Sequence, residues 1–228
     1  MKYAHYWAKS AKENRHLDSL CLYQAVSAFG KVGIAYVCVP KISVNSESDQ
    51  VIQISGYLCE RTTEWFYSDL VSLLRAQKSW NKIKHSLLRM LSESEYEIRK
   101  EMSLKQQEDS DFVLLLWSKR RYMILLRGEC EIHCKKHYWS SIKCIKQENA
   151  TKIKNVKGFL HEQNKFLLVS APCSNCLSKY EIASVFRNKI DENGKMEKIL
   201  MECNERIRNQ KKEQEKSMIW IHICEEDL

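Results

Sequence analysis

Ser55-Gly56-Tyr57-Leu58-Cys59-Glu60-Arg61-Thr62-Thr63-Glu64-Trp65-Phe66-Tyr67 is the stretch on which the reading of this chain turns. Leu58, Thr62, Trp65 and Phe66 recur at three- and four-residue spacing, and Leu70 and Leu73 extend the stripe. That period puts them on one face of a helix predicted over 51–74. A second helix is predicted over about 80–107, with Ile83, Leu87, Met90 and Leu91 on one face. On both sides of this pair the period shortens. Upstream, Leu20 and Leu22 alternate with other residues from about Ser19, and 32–39 is a continuous apolar run, the pattern of a strand covered on both faces. The polar segment 40–50 reads as a loop leading to the first helix. Downstream, 112–117 and 122–126 are apolar strands joined by the charged turn Ser118-Lys119-Arg120-Arg121, which predicts a hairpin. Further strands are expected over 129–135 and 165–170. Ser178-Lys179-Tyr180-Glu181 has the spacing of a capping box and opens a helix. Another helix is expected over about 196–212, with Leu200, Cys203 and Ile207 facing inward, and a strand over 218–224 closes the chain. This order of elements predicts an α+β fold. Neither an internal repeat nor a linker rich in proline, glycine or serine interrupts it, so 1–228 reads as a single domain.

Composition narrows the function. No apolar run approaches the roughly 20 residues of a membrane helix, and Met1 to Trp7 lack the apolar core of an export signal. A cytoplasmic protein without a membrane partner is expected. The ten cysteines are spread through hydrophobic segments, so they read as reduced, mostly buried thiols. The net charge of +8 is diffuse. It favours acidic or phosphorylated partners without forming a nucleic-acid footprint. The basic stretch Arg206, Arg208, Lys211 and Lys212 is interleaved with Glu205, Glu213 and Glu215, as on a solvated helix face. Trp7, Trp80 and Trp139 have lysines nearby and could stack on bases, but core packing is the preferred reading, and no nucleic-acid partner is expected.

With these local motifs in this order, the chain resembles the type 2C (PPM-type) metal-dependent serine/threonine phosphatases of Gram-positive bacteria. Ser55 to Tyr67 is similar to the first long helix of bacterial members, where a small-residue start leads to a tryptophan-phenylalanine pair. Asn14-Arg15-His16-Leu17-Asp18-Ser19-Leu20 is similar to the opening motif. Leu114-Leu115-Leu116-Trp117-Ser118-Lys119-Arg120-Arg121-Tyr122 is similar to the central hairpin. Arg127-Gly128-Glu129-Cys130-Glu131-Ile132 stands where the family has glycine-aspartate-serine-arginine. Phe166-Leu167-Leu168-Val169-Ser170-Ala171-Pro172 matches a strand that ends in serine-aspartate-glycine. The resemblance implies a four-layer α-β-β-α sandwich, in which two antiparallel sheets pack face to face and helices cover each.

It also implies a site where two divalent ions, held mainly by aspartates at strand ends, activate a water and clamp a phosphoryl group. Hard ions such as magnesium and manganese need oxygen ligands. Asp18 keeps the opening acidic position. The aspartate-glycine expected at the end of the second strand is replaced by Val39-Pro40, and the late serine-aspartate-glycine by Ser170-Ala171-Pro172. Valine has no lone pair to offer, and proline lacks the glycine's backbone freedom. Glu129 stands at an outer-site position, and the final aspartate falls near Gln214 or Glu215. Asp18, Glu129 and Glu215 are thus vestigial ligand candidates, while Val39, Pro40, Ala171 and Pro172 mark degenerate positions. No catalytic residue is assigned and no cofactor is expected. Should one ion remain, it would be manganese or magnesium. The implied function is a pseudophosphatase that binds a phosphoprotein, a kinase or a genuine phosphatase. An active enzyme with ligands relocated to Glu47 or Asp49 is the alternative.

Three other constellations compete. Cys173-Ser174-Asn175-Cys176 has the spacing of a zinc half-site, which Cys130, His133, Cys134 and His137 could complete in a zinc-binding or structural interaction domain. A strand over 129–135 would put Cys130, Ile132 and Cys134 on one face, where core packing is the plainer reading. A thioredoxin-like redox role lacks its βαβ context, and no cysteine stands in a recognisable motif with a histidine base. Asn149-Ala150-Thr151 is a glycosylation sequon without consequence unless the chain is exported.

Overall fold

The computed structural model describes residues 2–6, 20–27, 30–39, 48–103, 110–135, 142–146, 152–187, 192–209 and 218–223. Its organisation follows from three strands apolar on both faces. β3 (Gly30–Val39), β4 (Asp111–Ser118) and β5 (Arg121–Arg127) lie side by side, and side chains of β4 are buried along its whole length. A strand of this kind needs a covering layer on each side. Alternation divides the side chains between the two layers. Val32, Ile34, Tyr36, Cys38, Phe112, Leu114, Leu116, Met123 and Leu125 face helices α1 (Ser48–Trp65) and α3 (Trp80–Glu101). Ala35, Val37, Val113, Leu115, Trp117, Tyr122, Ile124 and Leu126 face the other way, against a second sheet.

β2 (Leu20–Ser27) and β8 (Lys154–Phe159) flank the central three, giving the antiparallel order β2-β3-β4-β5-β8. The facing sheet is also antiparallel and runs β1-β10-β9-β6-β7. It comprises β1 (Lys2–Tyr6), β6 (Glu131–Lys135), β7 (Lys143–Lys146), β9 (Lys165–Val169) and β10 (Met218–His222). Its inner face contributes Ile132, Cys134, Phe166, Leu168, Ile219 and Ile221 to the central core. Its outer face carries Leu167, Val169, Met218 and Trp220, with Phe186 edge-on to Trp220 at 4.9 Å. Helices α4 (Ala171–Ser174), α5 (Lys179–Val185) and α6 (Glu192–Asn209) accompany this sheet, and their Cys173, Val185, Ile199 and Cys203 pack into the same outer cluster. Three apolar layers thus separate helices, sheet, sheet and helices, the expected α-β-β-α sandwich. Among the described residues no helix is long and apolar enough to cross a membrane.

Several predicted boundaries shift. Helix α1 begins at Ser48, inside the predicted loop, because its first turn is polar. The predicted helix over 51–74 is broken by a π-helical turn, Phe66–Leu70, before α2 (Val71–Arg75). The wider turn lets the consecutive Trp65 and Phe66 both be buried, together with Leu70. α3 stops at Glu101. Gly128 and Glu129 form a turn before β6, which starts at Glu131 rather than 129. β9 ends at Val169, and Ala171 already opens α4. Strands β1, β7 and β8 were not anticipated. The edge strand β8 alternates half-buried and exposed residues, and β7 buries one residue of four, so neither carries an apolar run.

At one position the central core requires glycine. Gly33 pairs directly with Trp117, and a Cβ there would lie 1.9 Å from the indole ring. Trp117 is fully buried and has no room to withdraw. Gly33→Ala should therefore destabilise the domain by about 1–3 kcal/mol. Adding Trp117→Phe should recover part of that loss in chemical denaturation, and an unchanged midpoint in the single variant would refute the packing argument.

The capping box of α5 is formed as predicted. Ser178 Oγ accepts from Glu181 N at 3.2 Å, and Glu181 Oε2 accepts from Ser178 N at 2.6 Å. Arg206 of α6 adds two bonds to the same carboxylate, at 2.5 and 3.0 Å, which tie the two helices together. Chiefly through Arg206, the Glu181 carboxyl is held down to about 2, against 4.5 ordinarily. A depressed carboxyl contributes stability that is complete above its unfolded value and is lost as pH falls toward the folded one. Between pH 4.5 and about 2, the melting temperature of Glu181→Gln should thus fall less steeply than that of the native chain. Parallel curves would remove this ion pair from the acid response.

Candidate functional site

The strand register gathers one end of the sandwich around the positions singled out by sequence. Val39, at the end of β3, pairs with Asp111 at the start of β4, and the next residue, Phe112, pairs with Arg127 at the end of β5. Three residues, 128–130, then carry the chain across to Glu131, which pairs with Val169 at the end of β9. Val169 in turn pairs with Met218 at the start of β10. Val39 is half-buried against the inter-sheet core, Glu129 is exposed in the turn, and Ala171 and Pro172 form the start of α4. Asp18, Pro40, Glu47 and Glu215 lie outside the described residues. Asp49 falls in the first turn of α1.

A carboxylate not anticipated from the sequence stands at this mouth. Asp111 is buried directly opposite Val39, and its Oδ2 accepts from the backbone N–H of Glu129 at 3.0 Å. The turn is shaped around it. Gly128 has φ +72°, and a Cβ there would fall 1.7 Å from Asp111 Oδ1. Glycine is needed both for the left-handed backbone and for the approach of the carboxylate. The only advance signal was an acidic residue heading an otherwise apolar strand, which reads equally well as a strand boundary.

Behind the mouth, on the helix side of the same sheet, Arg127 Nη2 donates to Glu95 Oε2 of α3 at 2.7 Å. Its Nε donates to the carbonyl of Ser110 at 2.8 Å, while Ser110 N donates to Glu95 Oε1 at 2.7 Å. The guanidinium also lies over the Phe112 ring, 5.0 Å from its centroid. Both charges are buried, matched and hydrogen-bonded, which is the condition for keeping an ion pair out of water. Arg127 is therefore committed to holding α3 on the sheet. Beside it, burial pushes the Cys38 thiol well above its ordinary range, so this cysteine is neutral and unsuited to act as a nucleophile.

Two hard divalent ions sharing a water require several oxygen ligands. Among the described residues at these strand ends, Asp111 and Glu129 are the carboxylates free of the outer face, since Glu131 turns toward His133 there, and Asp111 spends one oxygen on the turn. That pair alone does not fit a two-ion cluster, and no chemical step is derived through one.

The predicted zinc grouping is not assembled. Cys130 and Cys134 face the inter-sheet core, whereas Cys173 lies in the cluster on the opposite side of the same sheet. The sheet itself separates the two half-sites, and His137 is outside the described residues. His133 does share the outer side, but it meets Glu131 and Cys144 instead.

No family model matches this sequence, and no curated protein matches it. Solved structures do match in fold. A serine/threonine phosphatase of S. agalactiae superposes with a TM-score of 0.63 at 12% identity, covering 97% of this chain and 98% of that one. PppA of Pseudomonas aeruginosa, described as a key regulatory component of the T6SS, gives 0.66 at 11% identity and 97% of each chain. The catalytic domain of the serine/threonine phosphatase PstP, solved in complex with two manganese ions, gives 0.66 at 9% identity and 98% of each chain. The fold of this chain is that of the bacterial PPM-type serine/threonine phosphatases over nearly its whole length.

Proposed function

We propose that this chain is a phosphatase-like domain that binds rather than hydrolyses. Its partner would be a phosphorylated protein, a kinase or an active phosphatase. The observation that carries the proposal is Val39 at the end of β3, where the resemblance calls for an aspartate shared by both ions. Its side chain lies half-buried against the inter-sheet core and offers no donor. Ala171, which replaces a second ligand, supports the same reading. The diffuse net charge of +8 suits an acidic or phosphorylated partner.

Asp111 favours a second reading, an active enzyme with relocated ligands. It sits on the neighbouring strand, directly across from Val39, so a carboxylate is present at the level of the missing one. Asp18, Glu129 and Glu215 would complete its set, with manganese or magnesium as the ion.

Two measurements separate the readings. Calorimetric titration of the full chain with Mn²⁺ should show no binding at millimolar metal, and p-nitrophenyl phosphate should not turn over in its presence. Turnover that disappears in Asp18→Ala and in Asp111→Asn, with both variants folded by circular dichroism, would overturn the binding-module proposal and establish the second reading.

A further inference from the structure

On the outer face of the β6–β7 pair, away from the sandwich mouth chemistry, three different ligand types converge. His133 of β6 pairs directly with Cys144 of the edge strand β7, and Glu131 lies two residues before His133 on the same face. His133 Nε2 is 3.3 Å from Glu131 Oε2, and Cys144 Sγ is 3.5 Å from the same oxygen. All three ligand atoms fall within 4.8 Å of one another. The His133 side chain is only 7% exposed. Its Nε2 has the Glu131 carboxylate as a neighbour, but that contact lacks the alignment of a good hydrogen bond. A buried ring nitrogen left this way is costly unless something else occupies its lone pair or proton.

We propose that Glu131, His133 and Cys144 bind a zinc-class divalent cation, with the fourth position open to water or a ligand. Thiolate, imidazole and carboxylate are together a borderline-soft donor set, suited to zinc and unsuited to magnesium or calcium. With zinc bonds of about 2.0 Å to oxygen and nitrogen and about 2.3 Å to sulfur, tetrahedral geometry sets ligand separations near 3.3 Å for O–N and near 3.5 Å for O–S. The two measured separations match these edges. Cys144 is exposed at the sheet edge, so the ion has a path from solvent. On binding, the Cys144 S–H bond breaks, the sulfur keeps the electron pair for the metal, and the proton passes to water. The site is independent of the proposed function, since it uses neither Val39 nor Asp111 and lies on the other face of its sheet from the central core.

The full chain, purified with reductant and without chelator, is titrated with Co²⁺ as a spectroscopic stand-in and then with Zn²⁺. The expected result is a thiolate-to-cobalt charge-transfer band in the near ultraviolet that saturates at one equivalent and is bleached by zinc. Cys144→Ser should abolish the band and weaken zinc binding by about tenfold or more, as loss of a ligand should exceed the effect of losing an outer-shell partner. Glu131→Gln, a milder change than altering buried His133, should weaken binding while the band, if formed, remains. Cys176→Ser should leave both unchanged. Absence of the band in the native chain would overturn the proposal. So would a band that survives Cys144→Ser in folded protein or is lost in Cys176→Ser, either of which would move the metal elsewhere.

Discussion

Burial of β3, β4 and β5 on both faces is the constraint from which the rest of this structure follows. A strand with one polar face can rest on a single layer, whereas one that reads VLLLW across both faces cannot. It needs helices on one side and a second sheet on the other, and that sheet's own apolar outer face then calls for the second helical layer. Gly33 beneath Trp117 shows how tightly the middle layer is filled. The largest side chain of the inter-sheet core is accommodated by deleting the smallest one opposite it.

Two sheets joined by a short turn also determine where chemistry can occur. Ladder hydrogen bonds satisfy the backbone along the strands, so free chain and varied side chains accumulate at strand ends. The turn through Gly128 and Glu129 brings the ends of β3, β4, β5, β6, β9 and β10 together. In this chain Asp111 spends an oxygen on that turn, and Arg127 and Glu95 neutralise each other behind it. Asp111 and the Arg127–Glu95 pair thus serve the turn and the seating of α3, while Glu129 stays exposed beside them. A group that stabilises a turn or seats a helix has less capacity left for a ligand at the mouth.

The core and element order were readable in the sequence because burial imposes periodicity. Leu58, Trp65, Leu87 and the 112–117 run announced their environments, and so did the capping box at Ser178, since its chemistry is local. What escaped was nonlocal or half-exposed. β7 and β8 lie at sheet edges with few buried residues, and the pairing partner, not the residue itself, makes them strands. Asp111 was overlooked because its meaning depends on facing Val39, a residue more than seventy positions earlier. Cys144 was passed over for a similar reason. Cys173 and Cys176 are close in sequence, whereas the sheet places a lone cysteine across from His133.

That last contrast bears on how ligand sets should be read in β structure. A C-x-x-C spacing has predictive value when both residues share a loop, but here Cys173 is part of the apolar cluster under α4 and Cys176 packs against it. Within a sheet, residues two apart on one strand and directly opposed on the next form a tighter triangle than most sequence motifs do. Glu131, His133 and Cys144 are such a triangle, and the carboxyl is held below its ordinary range chiefly by His133. The same environment, burial first and the Glu131 charge second, pushes the Cys144 thiol up to about 12. Without a cation, partial burial first and the carboxylate charge second keep the thiol protonated. A bound cation would reverse that relation, because a charge shared by all three donors makes the carboxylate an ally of the thiolate instead of its opponent.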